Sequence, residues 1–232
     1  MNWKFFTILI LFYTTLSMAA PFSVSLQNAT ATYSQTSFHI STTIDGSYSS
    51  GANGWAISTS IVNQTAVWET ATNLNASSIT FAMHQLHSNP THVLGRFRWS
   101  FTTQDRSTFA DGGSDVTTTW TELANPVVTA LNTTAFTTLA DNSILAGGST
   151  PSTDVYYVTY TLSGYSNITG FRLEALEHSN YPGSGPGRAS NGNFVLTELA
   201  VTADSLPVPE SQTMLLLLVG ISLFFVVRRC CM

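Results

Sequence analysis

The sequence predicts an all-β fold, a single β-sandwich, on three observations. No helical period is sustained between Phe22 and Ala203, apolar and polar residues alternate in run after run, and Gly, Pro and Asn cluster between the runs. Two uniformly apolar segments flank this body. They predict an N-terminal signal peptide over 1–19 and a C-terminal transmembrane helix within 213–232.

The strands follow in chain order. Trp55, Ile57, Thr59 and Ile61 alternate, as do Ile79, Phe81 and Met83. Over Leu94 to Phe101, Phe97, Trp99 and Phe101 share one face, with Arg96 and Arg98 on the other. The nearest approach to a helix is Trp120 to Leu131, and Pro126 breaks it. Asp154 to Leu162 is rich in Val, Tyr and Thr, which suit a pleated, half-buried surface. Phe171, Leu173 and Ala175 alternate with Arg172 and Glu174, and Asn193 to Val201 forms the last strand. Turns fall at Asp45-Gly46, Asp111-Gly112-Gly113, Gly147-Gly148, Pro182-Gly183 and Asn191-Gly192. The tryptophans Trp55, Trp68, Trp99 and Trp120 belong to the core.

Only 9% of the 232 residues are charged, the net charge is −5, and Lys4 is the one lysine. That excludes a coiled coil and a basic nucleic-acid binder, while 44% apolar content argues against long disorder. Lys4, the apolar run Phe5 to Leu16 and Ser17-Met18-Ala19 make a signal peptide with a cleavage site after Ala19. Near the other end, Thr213 to Val227 is continuously apolar or small and is followed by Arg228 and Arg229, which stay cytoplasmic. A linker over 206–212 separates it from the body. Both cysteines, Cys230 and Cys231, lie beyond this span, so no disulfide can staple the exported body. Five sequons, at Asn28, Asn63, Asn75, Asn132 and Asn167, would matter in a host that glycosylates them.

Val208-Pro209-Glu210, a short apolar span, then Arg228-Arg229 resembles a PEP-CTERM sorting tail. The resemblance implies export to the cell envelope or beyond and processing by an exosortase-like enzyme. The chain departs from the family in having Ser211 after Pro209-Glu210, and in ending Cys230-Cys231-Met232. A plain single-pass anchor and a GPI signal are the alternatives, though a GPI tail should end apolar.

A second resemblance covers most of the body. Ala29 to Gln35, Thr43-Ile44-Asp45-Gly46 and Gly54-Trp55-Ala56 resemble the start of a discoidin-type, galactose-binding-like jelly roll. Ile168 to Glu174 and Gly192 to Leu199 resemble its end, and residues 105–153 match least. The resemblance implies one domain over 20–205. It also implies a calcium ion shared by Asp45 and Glu198, since hard carboxylate oxygens suit that ion. The residues themselves support a cation, because Glu198 lies at the edge of the apolar face of Phe194 and Leu196. They equally allow a salt bridge from Glu198 to Arg172 or Arg98, with Asp45 capping a turn.

The long loop from His178 to Gly192 offers His178, Tyr181 and Arg188 as a sugar site, with an aromatic face and hydroxyl-binding donors. The alternative is a lid packed over the end of the sandwich. His84, His87 and His92 suggest zinc, but positions 84 and 87 face opposite ways on a strand. No catalytic set stands out. The sequence therefore favours a non-catalytic surface or matrix protein that binds an exopolysaccharide or cell-surface glycan. A jelly-roll carbohydrate-active enzyme using His84, His87, Arg96 and Arg98, and an interaction module of a surface complex, are the other readings.

Overall fold

The computed structural model describes residues 20–48, 53–110, 116–162 and 164–206. The expected signal peptide, the motif at Val208, Pro209 and Glu210, the apolar span, and Arg228 and Arg229 lie outside the described residues. Among the described residues no helix is long and apolar enough to cross a membrane. Ala20–Ser205 forms one compact unit.

Among the described residues fourteen strands carry it: β1 Phe22–Ser23, β2 Leu26–Ala31, β3 Trp55–Ala56, β4 Gln64–Leu74, β5 Ser78–Gln85, β6 Arg96–Thr102, β7 Thr121–Glu122, β8 Val127–Ala130, β9 Ala135–Thr138, β10 Ile144–Gly147, β11 Asp154–Thr161, β12 Ile168–Ala175, β13 Val195–Leu196 and β14 Glu198–Asp204. Among the described residues three short 3₁₀ helices, Ile40–Ile44, Arg106–Thr108 and Pro182–Ser184, sit between them. One sheet runs β1-β14-β5-β11-β8. The other runs β2-β4-β12-β6-β10-β9, with β7 also paired to β6. The strands are antiparallel throughout these pairings, and a small ladder joins β3 to β13. The first strand closes onto the last, with Phe22 opposite Ala203 and Ser23 opposite Thr202.

The core is what the alternation demands. Phe81 from the five-stranded sheet stacks on Trp99 from the seven-stranded sheet, ring centroids 3.9 Å apart at 4°. Phe171 meets Phe81 edge-on at 5.1 Å, and Trp68 leans on Trp99 at 5.8 Å. Aromatic pairs of this kind add about 1 kcal/mol each beyond their buried area. Three indole N–H groups are satisfied: Trp55 donates to the Tyr33 carbonyl, Trp68 to the Thr43 hydroxyl and Trp120 to the Val116 carbonyl.

Three expectations change in detail. The Trp55 to Ile61 run is a strand only at Trp55–Ala56, because the chain turns there: Thr59 takes φ +90° and Ser60 N–H closes onto the Ile57 carbonyl. The run Asn193 to Val201 is two strands, broken at Thr197. That residue leaves the ladder to donate both its N–H and its hydroxyl to the His84 carbonyl. Trp120 is not in the main core. It packs outside the seven-stranded sheet with Val67, Phe109 and Ala110, under the Arg172 guanidinium.

Outside the same sheet, Arg98 pairs with Glu174 and Glu122, Arg172 with Glu174, and Arg96 with Asp141. Glu174 faces Arg98 directly across β12 and β6. This is the cross-strand charge pairing that the polar half of each alternation sets up.

Candidate functional site

The ends of β5, β10 and β12 and the starts of β6, β11 and β14 lie at one end of the sandwich, so the connecting segments there come together. Gln35, Phe38, Ser58, His87, Asn89, His92, Asn191, Asn193 and Val195 line a cleft of about 210 Å³ at this end.

The walls of the cleft are held by their own hydrogen bonds. Asn193 Oδ1 accepts from the Ile57 N–H at 2.9 Å, and Gln35 Oε1 from the Ser58 N–H at 3.0 Å. Asn191 Oδ1 accepts from the Asn193 N–H, fixing the turn that carries both amides. The His87 and His92 rings lie 5.6 Å apart, and Phe38 meets His87 edge-on at 5.4 Å. Burial pushes the His87 imidazole below its ordinary pKa, and the neighbouring His92 adds to that. The lining holds amides, imidazoles, a hydroxyl and one aromatic ring, with no carboxylate, lysine or arginine. Such a surface supplies many hydrogen bonds and no fixed charge, which suits a neutral hydroxylated ligand.

The loop from His178 behaves differently from a sugar platform. Tyr181 is buried, and its hydroxyl reaches the Gly95 and Ala146 carbonyls at 2.9 and 2.7 Å. Its ring lies against Gly95, where a Cβ would collide with it. Burial drives the Tyr181 phenol well above its ordinary pKa. Arg188 is 5% exposed and donates to the Gly148 carbonyl at 2.7 Å, while its Nε and Nη1 find no partner. It lies beside the buried Tyr156 phenol, whose pKa burial raises to about 12. Tyr181 is therefore committed to packing at the sandwich end, whereas Arg188 is buried with two N–H groups unpartnered. Only His178 stays partly open, with its ring 5.8 Å from Tyr181.

Asp45 lies near enough for its charge to act on Glu198. The Gly46 N–H donates to Glu198 Oε1 at 3.3 Å, and Asp45 Oδ1 accepts from the Ser47 N–H at 2.8 Å. Glu198 is 5% exposed and its Oε2 has no hydrogen-bond partner. Burial raises the Glu198 pKa to about 7, and the Asp45 charge pushes it the same way. The salt-bridge alternative fails, since Arg98 and Arg172 turn outward to Glu174. An orphaned, buried carboxylate oxygen beside a second carboxylate fits a hard cation. Among the described residues no three His, Cys, Asp or Glu side chains gather as a metal site, so backbone carbonyls would have to complete the shell.

The zinc and enzyme readings lose their geometry. His84 lies on β5 against Tyr48, whereas His87 follows the end of β5 and turns into the cleft wall. Arg96 and Arg98 stand on the outer face of the other sheet, tied to Asp141, Ser143, Glu174 and Glu122. These four side chains do not converge.

No protein-family model matches the chain, and no curated protein matches it. Among solved structures it is similar to the family 32 carbohydrate-binding module of C. perfringens NanJ in complex with galactose: TM-score 0.45, 13% identity, 79% of this chain and 99% of that one. It is similar to truncated AlyQ, with its family 32 module and alginate lyase domains: TM-score 0.45, 13% identity, 83% and 36%. A family 32 module from Clostridium perfringens in complex with GalNAc-beta-1,3-galactose gives TM-score 0.43, 12% identity, 77% and 98%.

Proposed function

We propose that the protein is a non-catalytic carbohydrate-binding module of the cell surface or extracellular matrix, with its ligand in the cleft between His87, His92, Asn89 and Asn191. The observation that carries this reading is the cleft's chemistry. Nine residues converge from separate segments, seven of them offer uncharged donors or acceptors, and Phe38 gives an apolar face. A neutral glycan has the same mixture of hydroxyls and apolar ring faces.

Two further parts belong to this reading. Asp45 and Glu198 hold a calcium ion that fixes the loop at Gly46 against the start of β14; the support is the unpartnered Glu198 Oε2. The tail with Val208, Pro209, Glu210, Arg228 and Arg229 is a sorting segment read by an exosortase-like enzyme, anchoring the chain at least transiently; the support is the order of motif, apolar span and basic end. Deleting the tail from 214 onward should release the protein from the membrane fraction.

The test of the carbohydrate reading is a glycan array with the intact protein and with Asn191→Ala. Binding to one group of neutral glycans, weakened in the variant, is expected. Binding to none reduces the protein to a structural component of the surface.

A further inference from the structure

The two histidines of the cleft are not equivalent. His87 Nδ1 accepts a hydrogen bond from the Asn89 N–H at 3.2 Å. A backbone amide can only donate, so this Nδ1 carries a lone pair, and the neutral ring bears its proton on Nε2. His92 Nδ1 lies 3.2 Å from the Asn89 carbonyl and 3.1 Å from the Pro90 carbonyl. Carbonyls can only accept, so this Nδ1 bears the proton and His92 Nε2 keeps a lone pair. The Asn89-Pro90 turn thus sets opposite tautomers in two rings 5.6 Å apart.

We infer that His87 Nε2–H and His92 Nε2 form a donor–acceptor pair that reads a hydroxyl of an uncharged sugar. The inference rests on the carbohydrate reading of the cleft and deepens it. Neither Nε2 hydrogen-bonds to another described residue, so both remain for a ligand. A hydroxyl donates and accepts at once, which matches the pair, whereas an ether oxygen or a carboxylate matches only its donor half.

The other lining groups are Gln35, Phe38, Ser58, Asn89, Asn191, Asn193 and Val195, so no fixed charge competes with the pair for a hydroxyl. Burial favours the neutral His87 ring, against a backbone hydrogen bond at Asn89 that works the other way. Losing the acceptor of the pair weakens a neutral ligand about tenfold.

Two measurements on the intact protein test this. Long-range ¹H–¹⁵N correlation of the imidazoles at pH 7.5, assigned with His87→Ala and His92→Ala, should show an Nε2–H tautomer at His87 and an Nδ1–H tautomer at His92. The same tautomer at both positions, or a charged ring at pH 7.5, overturns the inference. Calorimetric titration with galactose, glucose and mannose at pH 7.5 tests the consequence. The expected result is a neutral sugar that binds, weakens about tenfold in His92→Ala, and recovers in His92→Gln, which restores an acceptor. A neutral sugar bound equally by the parent and His92→Ala overturns the histidine pair and leaves the carbohydrate reading standing. If no neutral probe binds at pH 7.5, the carbohydrate reading falls and takes the pair with it.

Discussion

The Gly46 N–H donates to Glu198 Oε1, joining the loop after the first 3₁₀ helix to the first residue of the last long strand across 152 positions of sequence. The contact brings a buried carboxylate beside Asp45 and leaves Glu198 Oε2 with nothing to bind. Two predictions follow from this arrangement.

In EDTA the protein should lose stability as pH rises from 4.5 to 7. The folded Glu198 titrates at about 7, above its unfolded value near 4.5, so in that window the folded chain holds a proton that the unfolded chain has released. Its contribution is complete below pH 4.5 and gone above pH 7. Denaturant midpoints across this range check it. The decline attributable to this group is the difference from Glu198→Gln, which should be flat where the parent falls.

Calcium should reverse that loss. An ion held by Asp45 and Glu198 would need both carboxylates ionised, so at pH 8 millimolar calcium should raise the melting midpoint several degrees over EDTA. Neither Asp45→Asn nor Glu198→Gln should keep the full shift. Equal midpoints in calcium and EDTA leave Asp45 as a cap for Ser47 alone.

Gly95→Ala should destabilise the fold by about 1–3 kcal/mol. The added methyl meets the Tyr181 ring, whose hydroxyl spans the Gly95 and Ala146 carbonyls. Displacing that ring loosens the loop at the sandwich end. Chemical denaturation gives the loss, and faster amide exchange from His178 to Gly192 locates it.

Glu174→Ala should cost about 2 kcal/mol, between the worth of an exposed pair and that of a buried one. The carboxylate holds both Arg98 and Arg172, and its side chain is 15% exposed. Removing it leaves two half-buried guanidinium groups with Glu122 paired to Arg98 and Asp141 acting on Arg98 from farther off. Added salt should recover part of the loss.

Strands were legible where one face is wholly buried. Phe97, Trp99 and Phe101 alternate with charges because a single outward step would expose an indole or bury an arginine. The break at Thr197 was not legible. Thr is a good strand former, and only the His84 carbonyl across the gap draws it out of line. The approach of Asp45 to Glu198 was read through a family resemblance, with the apolar flank of Glu198 as its local sign. The cleft was missed for a different reason. Asn89, Asn191 and Asn193 sit in turns, where Asn is ordinary punctuation, and nothing local says that these turns meet. His87 was judged by strand parity from His84, but β5 ends at Gln85, so parity no longer applies. Tyr181 and Arg188 are ligand candidates in the sequence because the loop is long and they offer an aromatic face and donors. Their contacts, with Gly95 and with the Gly148 carbonyl, lie far off in sequence.

The most direct test of the carbohydrate site is an amide and imidazole NMR titration of the ¹⁵N-labelled protein with the neutral sugar that binds best. The account predicts shifts confined to His87, Asn89, His92, Asn191, Asn193 and their neighbours, saturating with one dissociation constant and lost in Asn191→Ala. Saturable binding whose shifts fall on His178 and its loop, or on the outer face of either sheet, would contradict it.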